Sequence, residues 1–270
     1  MMMGVLTSNM RLTFRYKREP TSVGKGDIMK NQFPQKLGAW SGIIAIGIWL
    51  VALWPLTHYL PPPSPALPTS EVAILYASNS VGIRLASILA LFAISFTTLF
   101  YGTISAQMRQ MEGTVPVWTY VQMLNGLLSL VGFVTLAILW ATAAYRPGRS
   151  PEIVQAFHDE SFLLYAMVAP PACLQLVAIG CAVFGDVNPI PLYPRWVAYF
   201  TIWTGILFLP GVFACMFTTG PFAWNGILSF WIPLIAFGLW LMVMCWAMLQ
   251  AVKSETHQSA IYTTQVSASR

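Results

Sequence analysis

Of the 270 residues, 57% are hydrophobic and only 9% are charged, with a mean hydropathy of +0.65. A soluble domain carries roughly 25% charged residues to face water, so this chain lacks the charge to cover a soluble surface. Its apolar residues fall in runs of roughly 20, the length that crosses a bilayer, and six runs with their loops leave no room for a soluble catalytic domain.

The net charge of +5 would suit nucleic acid only if it formed a patch. Seven of the fourteen Lys and Arg instead precede the first apolar run (Arg11, Arg15, Lys17, Arg18, Lys25, Lys30 and Lys36), the pattern of a cytoplasmic anchor. The partner expected is the lipid bilayer, with no nucleic acid. Residues 1–36 are polar, basic and aperiodic, with Pro20, Gly24 and Gly26, and read as a disordered arm. Met10 and Met29 offer alternative starts.

The membrane domain covers 37–252. Its first run, 40–60, is long enough to span and is not closely followed by a cleavage signal, so it reads as a retained helix. Pro61, Pro62, Pro63, Pro65 and Pro68 then impose an extended loop. Later spans read as 82–105, 118–144, 162–184, 196–217 and 225–251, with Trp118, Tyr145, Tyr193, Trp196 and Trp224 at their ends as interfacial rings. A polar tail, 253–270, closes the chain. The fold class is an all-α polytopic bundle of six spans.

Orientation follows from Lys and Arg in the loops. With the N-terminus inside, the inner side holds eleven, and the outer side three: Arg84, Arg146 and Arg149. Both termini are therefore expected in the cytoplasm. Small residues four apart (Gly38 with Gly42, Ala86 with Ala90, Ala137 with Ala141, Ala178 with Ala182) favour close helix packing and would also suit a homo-oligomer or a membrane protein partner. Cys173, Cys181, Cys215 and Cys245 lie in apolar stretches without a CxxC pair and read as packing residues.

Three spans contain proline. At about 1.5 Å rise per residue, Pro170, Pro171, Pro210 and Pro233 all fall about 10 to 13 Å below the outer surface. A proline frees the carbonyl four residues earlier, which membrane helices tolerate beside a neighbour or a wet cavity. These helix-kink candidates would wall an outward-facing cavity or simply kink helices for packing. Polar residues gather at the same end: Arg84 in span two, His158, Asp159 and Glu160 opening span four, and Asn225 opening span six. They suit either snorkelling and capping or a vestibule mouth framed by an Arg84 pair with Asp159 or Glu160. Gln122, Asn125 and Gln175 in the inner half suit interhelical hydrogen bonds or a solute. Trp203, Phe208, Phe213, Trp231 and Phe237 could line the cavity. No acid or base lies near a midplane, which speaks against a proton-coupled pump or voltage sensor. The three histidines, His58, His158 and His257, give no spaced metal signature, and no cofactor is expected.

The segments Pro194-Arg195-Trp196-Val-Ala-Tyr199, Trp203, Pro210-Gly211, Thr219 to Gly226 (TGPFAWNG) and Phe230-Trp231-Ile-Pro233 resemble a group of uncharacterised bacterial multi-span membrane proteins. The resemblance covers about 37–251 and implies a bacterial inner-membrane location, with no catalytic residue. The leading functional expectation is a non-enzymatic protein that binds or transports a small, largely apolar solute. Its rivals are an accessory or assembly subunit of a membrane enzyme complex, and a membrane enzyme using His158 with Asp159 or Glu160 as acid and base.

Overall fold

A computed structural model describes residues 25–146 and 148–268, with side chains over 32–146 and 148–254. Residues 1–24 of the basic arm and 269–270 of the tail lie outside the described residues, and the side chains of 255–268, His257 among them, are likewise not described. Among the described residues every regular element is a helix. Six helical segments are long and apolar enough to cross a bilayer: Gln32–Leu56, Ser80–Glu112, Val117–Tyr145, Pro151–Phe184, Arg195–Met216 and Ile227–Ser254. Helices satisfy their own backbone hydrogen bonds, as hydrocarbon requires. The chain is a multi-pass α-helical membrane protein.

The α-helices are α1 (Lys25–Val51), α2 (Thr69–Ser78), α3 (Ser80–Glu112), α4 (Val117–Tyr145), α5 (Pro151–Met167), α6 (Ala169–Phe184), α7 (Arg195–Phe208) and α8 (Ile232–Ala268). Because α1 starts at Lys25, the later part of the segment read as an arm is helical. α3 has 33 residues, about 50 Å of helix, and continues seven residues beyond the expected end of span two. The fourth span begins at Pro151, well before the expected Phe162, because Glu152, His158, Asp159 and Glu160 dilute the hydropathy of a turn sequence that is nonetheless helical. The short α2 is not announced by hydropathy at all. Pro68 precedes it and Glu71 sits in its first turn, where a negative charge meets the helix dipole.

Prolines mark the places where the α-helix gives way. Beyond Val51 the first span finishes as a π-helical turn, Ala52–Leu56, that contains Pro55. The Thr57 hydroxyl donates to the carbonyls of Ala52 and Leu53 at 2.9 and 3.1 Å, adding a side-chain bond to oxygens that also accept from the backbone N–H groups of Thr57 and Tyr59. α5 stops at Met167, and Pro170 and Pro171 occupy the first turn of α6, where a missing N–H costs no helical bond. Pro210 stands in the 3-10 helix Leu209–Met216, and Pro233 follows the π-helical turn Ile227–Trp231.

The spans form a closed ring in which α1 packs on α3, α3 on α4, α4 on α5 and α6, α6 on α7, α7 on α8, and α8 back on α1. Gly38 and Gly42 face α3 within the same chain: a Cβ on Gly38 would collide with Thr103, and one on Gly42 would lie 2.6 Å from the Phe100 ring. One core, including Phe100, Met108, Ile179, Tyr193, Trp240 and Met244, fills the half of the ring nearer the chain termini. A second, including Tyr59, Tyr76, Trp140, Phe162 and Trp224, fills the end that holds the proline loop and α2.

Candidate functional site

Between the two cores lies a cavity of about 160 Å³ walled by all six spans. α1 contributes Ile46, Trp49 and Leu50, α3 contributes Thr97 and Tyr101, and α4 contributes Ser129, Phe133 and Trp140. α5 and α6 add Phe162, Tyr165 and Gln175; Phe208 closes one side from α7, and Phe230, Pro233 and Phe237 close the last. The lining holds no acid, base or histidine.

Four of the polar groups on this wall are engaged within the protein. Thr97 donates to Ala93 O at 2.9 Å, Ser129 to Asn125 O at 2.9 Å and Ser229 to Phe222 O at 2.8 Å. The Trp140 indole N–H donates to Ser161 Oγ at 3.0 Å, and Ser161 donates onward to His158 O at 2.6 Å. Gln175 differs. It is 1% exposed, and neither its Nε2 nor its Oε1 makes a hydrogen bond of normal geometry. The Tyr101 hydroxyl is its polar partner, within hydrogen-bonding influence of the amide, and Gly126 on α4 supplies the space beside Nε2.

Both ends of the cavity are filled. Towards the termini, the Phe100 and Trp240 rings meet edge to face at 5.9 Å. Beyond them the fully buried Gln107 donates to Gln35 Oε1 at 2.9 Å and accepts from the Tyr193 hydroxyl at 2.5 Å. Hydropathy had no means of finding Gln107, since it lies past the apolar window of its span. At the loop end, Tyr59, Trp140, Phe162 and Trp224 pack around one another, with Phe162 and Trp224 stacked at 5.6 Å. The Trp224 N–H is anchored to Pro63 O at 2.9 Å.

The expected vestibule mouth is therefore replaced by an aromatic lid. Arg84 is exposed and its Nε donates to Ser80 O at 3.1 Å on its own helix, with no ion pair to Asp159 or Glu160. Helix geometry separates those acids from a shared rim: Asp159 is half-buried and Glu160 exposed, while His158 turns inward. His158 is 1% exposed, its Nδ1 lies 3.2 Å from the Tyr76 hydroxyl, and its Nε2 has no hydrogen-bond partner. His58 is exposed in the loop. Among the described residues no three His, Cys, Asp or Glu side chains gather as a metal site.

Of the other residues singled out from sequence, Gln122 accepts from Ser105 at 2.6 Å, Asn125 donates to Val121 O at 2.9 Å and Asn225 is half-buried. None of the three reaches the cavity. Gln175, Pro233, Phe208 and Phe237 line it, whereas Pro170, Pro171 and Pro210 stand behind the wall. Trp203, Phe213 and Trp231 are exposed on the outside of the bundle, where large rings face hydrocarbon. Comparison with models of protein families, with curated proteins and with solved structures finds no match.

Proposed function

We propose that this protein binds or transports a small, largely apolar solute and performs no covalent chemistry. The supporting observation is the central cavity of about 160 Å³, whose walls come from every span and carry no charge. An apolar cavity of roughly 150 Å³ takes one benzene-sized molecule. An enzyme built on His158 is disfavoured by its surroundings: it is sealed under Tyr59, Tyr76, Phe162 and Trp224, and its acidic neighbours in sequence lie on other faces. The Lys and Arg asymmetry and the resemblance to bacterial multi-span proteins support a bacterial inner-membrane location with both termini in the cytoplasm.

Purification from native membranes, followed by mass spectrometry of bound small molecules and of proteins, tests this reading. A stoichiometric apolar compound is expected. A stoichiometric protein partner with no small molecule would favour the accessory-subunit role.

A further inference from the structure

Resting on that reading, we propose that the solute is a neutral, lipid-soluble alcohol or carbonyl compound with a head about the size of one six-membered ring, and that it enters sideways from the bilayer between α1 and α8. Gln175 would recognise its polar atom.

Gln175 supplies the chemistry. A buried amide that is incompletely satisfied is costly to a fold, and here neither amide atom makes a hydrogen bond of normal geometry: the Thr97, Ser129 and Ser229 hydroxyls are committed to backbone carbonyls, which leaves the Tyr101 phenol as the polar group beside it. An amide offers N–H and C=O side by side, so it suits a hydroxyl, which can accept and donate, or a carbonyl, which accepts. The absence of any ionisable acid or base other than phenols on the wall excludes a charged head, since a buried charge needs a counter-charge. The volume sets the head at one ring.

The route follows from what is blocked. The Gln107 and Tyr193 plug closes one end of the ring and the aromatic lid the other. α1 and α8 approach at Ile46 and Gly238, where an added Cβ would lie 3.7 Å from Ile46 Cδ1. Towards the loop end, α1 passes into the π-helical turn with Pro55, and α8 emerges from the one before Pro233. Leu50, which lines the cavity here, is 41% exposed, while the rest of the lining is buried or half-buried. At this depth exposure means contact with acyl chains, so a tail on the solute would pass out beside Leu50 into lipid.

The test measures binding of 4-octylphenol, octylbenzene and phenol to the full chain in phosphatidylcholine nanodiscs, by shifts in unfolding midpoint over a concentration series. Wild type should bind 4-octylphenol about tenfold or more tightly than octylbenzene, because only the former satisfies the amide. Gln175→Leu should bring the two within about twofold while retaining octylbenzene; Gln175→Met serves if the leucine variant does not fold. Leu50→Trp should weaken both octyl compounds about tenfold and spare phenol. Equal wild-type affinities would overturn the role of Gln175 and leave the cavity reading standing. Unchanged binding of the octyl compounds in Leu50→Trp would overturn lateral entry. No binding of any probe would sink the cavity reading and this inference together.

Discussion

At the scale of single residues, the lid is held by a relay in which the Trp140 N–H donates to Ser161 and Ser161 donates to the His158 carbonyl. Ser161→Ala leaves the buried indole N–H unpaired, which should cost about 1 to 3 kcal/mol. Trp140→Phe removes that donor, so the double variant should be more stable than the sum of the singles predicts, by about 1 kcal/mol. Strict additivity in the unfolding midpoints would mean that the bond contributes nothing. Tyr59 and Tyr76, outside the spans, form the roof of the same lid, and burial holds both phenols well above their ordinary value. In the unfolded chain they ionise near pH 10; in the fold they resist. The folded protein therefore holds more protons above that point, and the associated stability, present in full below pH 10, falls as pH rises. Unfolding midpoints between pH 9 and 11 should fall less steeply in Tyr59→Phe/Tyr76→Phe, whereas parallel slopes would count against these two groups. Such pairs were not legible in the sequence, because hydropathy carries the first span through Tyr59 to residue 60, whereas the helical span ends at Leu56, and it gives no sign of the short helix that holds Tyr76. Gln175 was legible only as one of three amides, and which of them faced a cavity depended on helix rotation.

At the scale of elements, the six spans follow directly from hydropathy, because hydrocarbon demands long apolar helices. Their ends do not, since polar residues such as Gln107 and His158 are tolerated inside a helix once other helices cover them. The prolines marked the interruptions but not their purpose. Pro170 and Pro171 restart a helix, Pro210 sits in a 3-10 segment, and Pro233 alone reaches the cavity. The 3-10 segment packs so closely on α5 that a Cβ on Gly211 would lie 2.6 Å from the Ala166 carbonyl oxygen. That oxygen belongs to rigid backbone, so Gly211→Ala should destabilise the protein by about 1 to 3 kcal/mol through overpacking. An unchanged unfolding midpoint in detergent would show that the segment yields freely.

At the scale of the whole molecule, the ring of spans determines what can reach the cavity, and orientation determines which face of the membrane its lid meets. The orientation we propose from the Lys and Arg counts has both termini in the cytoplasm. With the exposed Cys215 first replaced by Ser, single cysteines at Pro63 and Arg149 should react with an impermeant maleimide in intact cells. Cysteines at Lys36 and Lys253 should react only after permeabilisation; the reverse pattern would invert the molecule. Composition could supply the bundle, but the central space arises from six helices meeting around side chains too far apart in sequence for any pattern to join. If that space is a binding site, a side chain that fills it must displace the bound molecule. Ala172 lines the cavity from α6, and Ala172→Phe would place a ring inside it. Native mass spectrometry of wild type and of this variant, purified identically from membranes, should show a small apolar molecule on wild type and none on a variant that still inserts and unfolds cooperatively. The same molecule retained at the same stoichiometry by the filled variant would contradict the account.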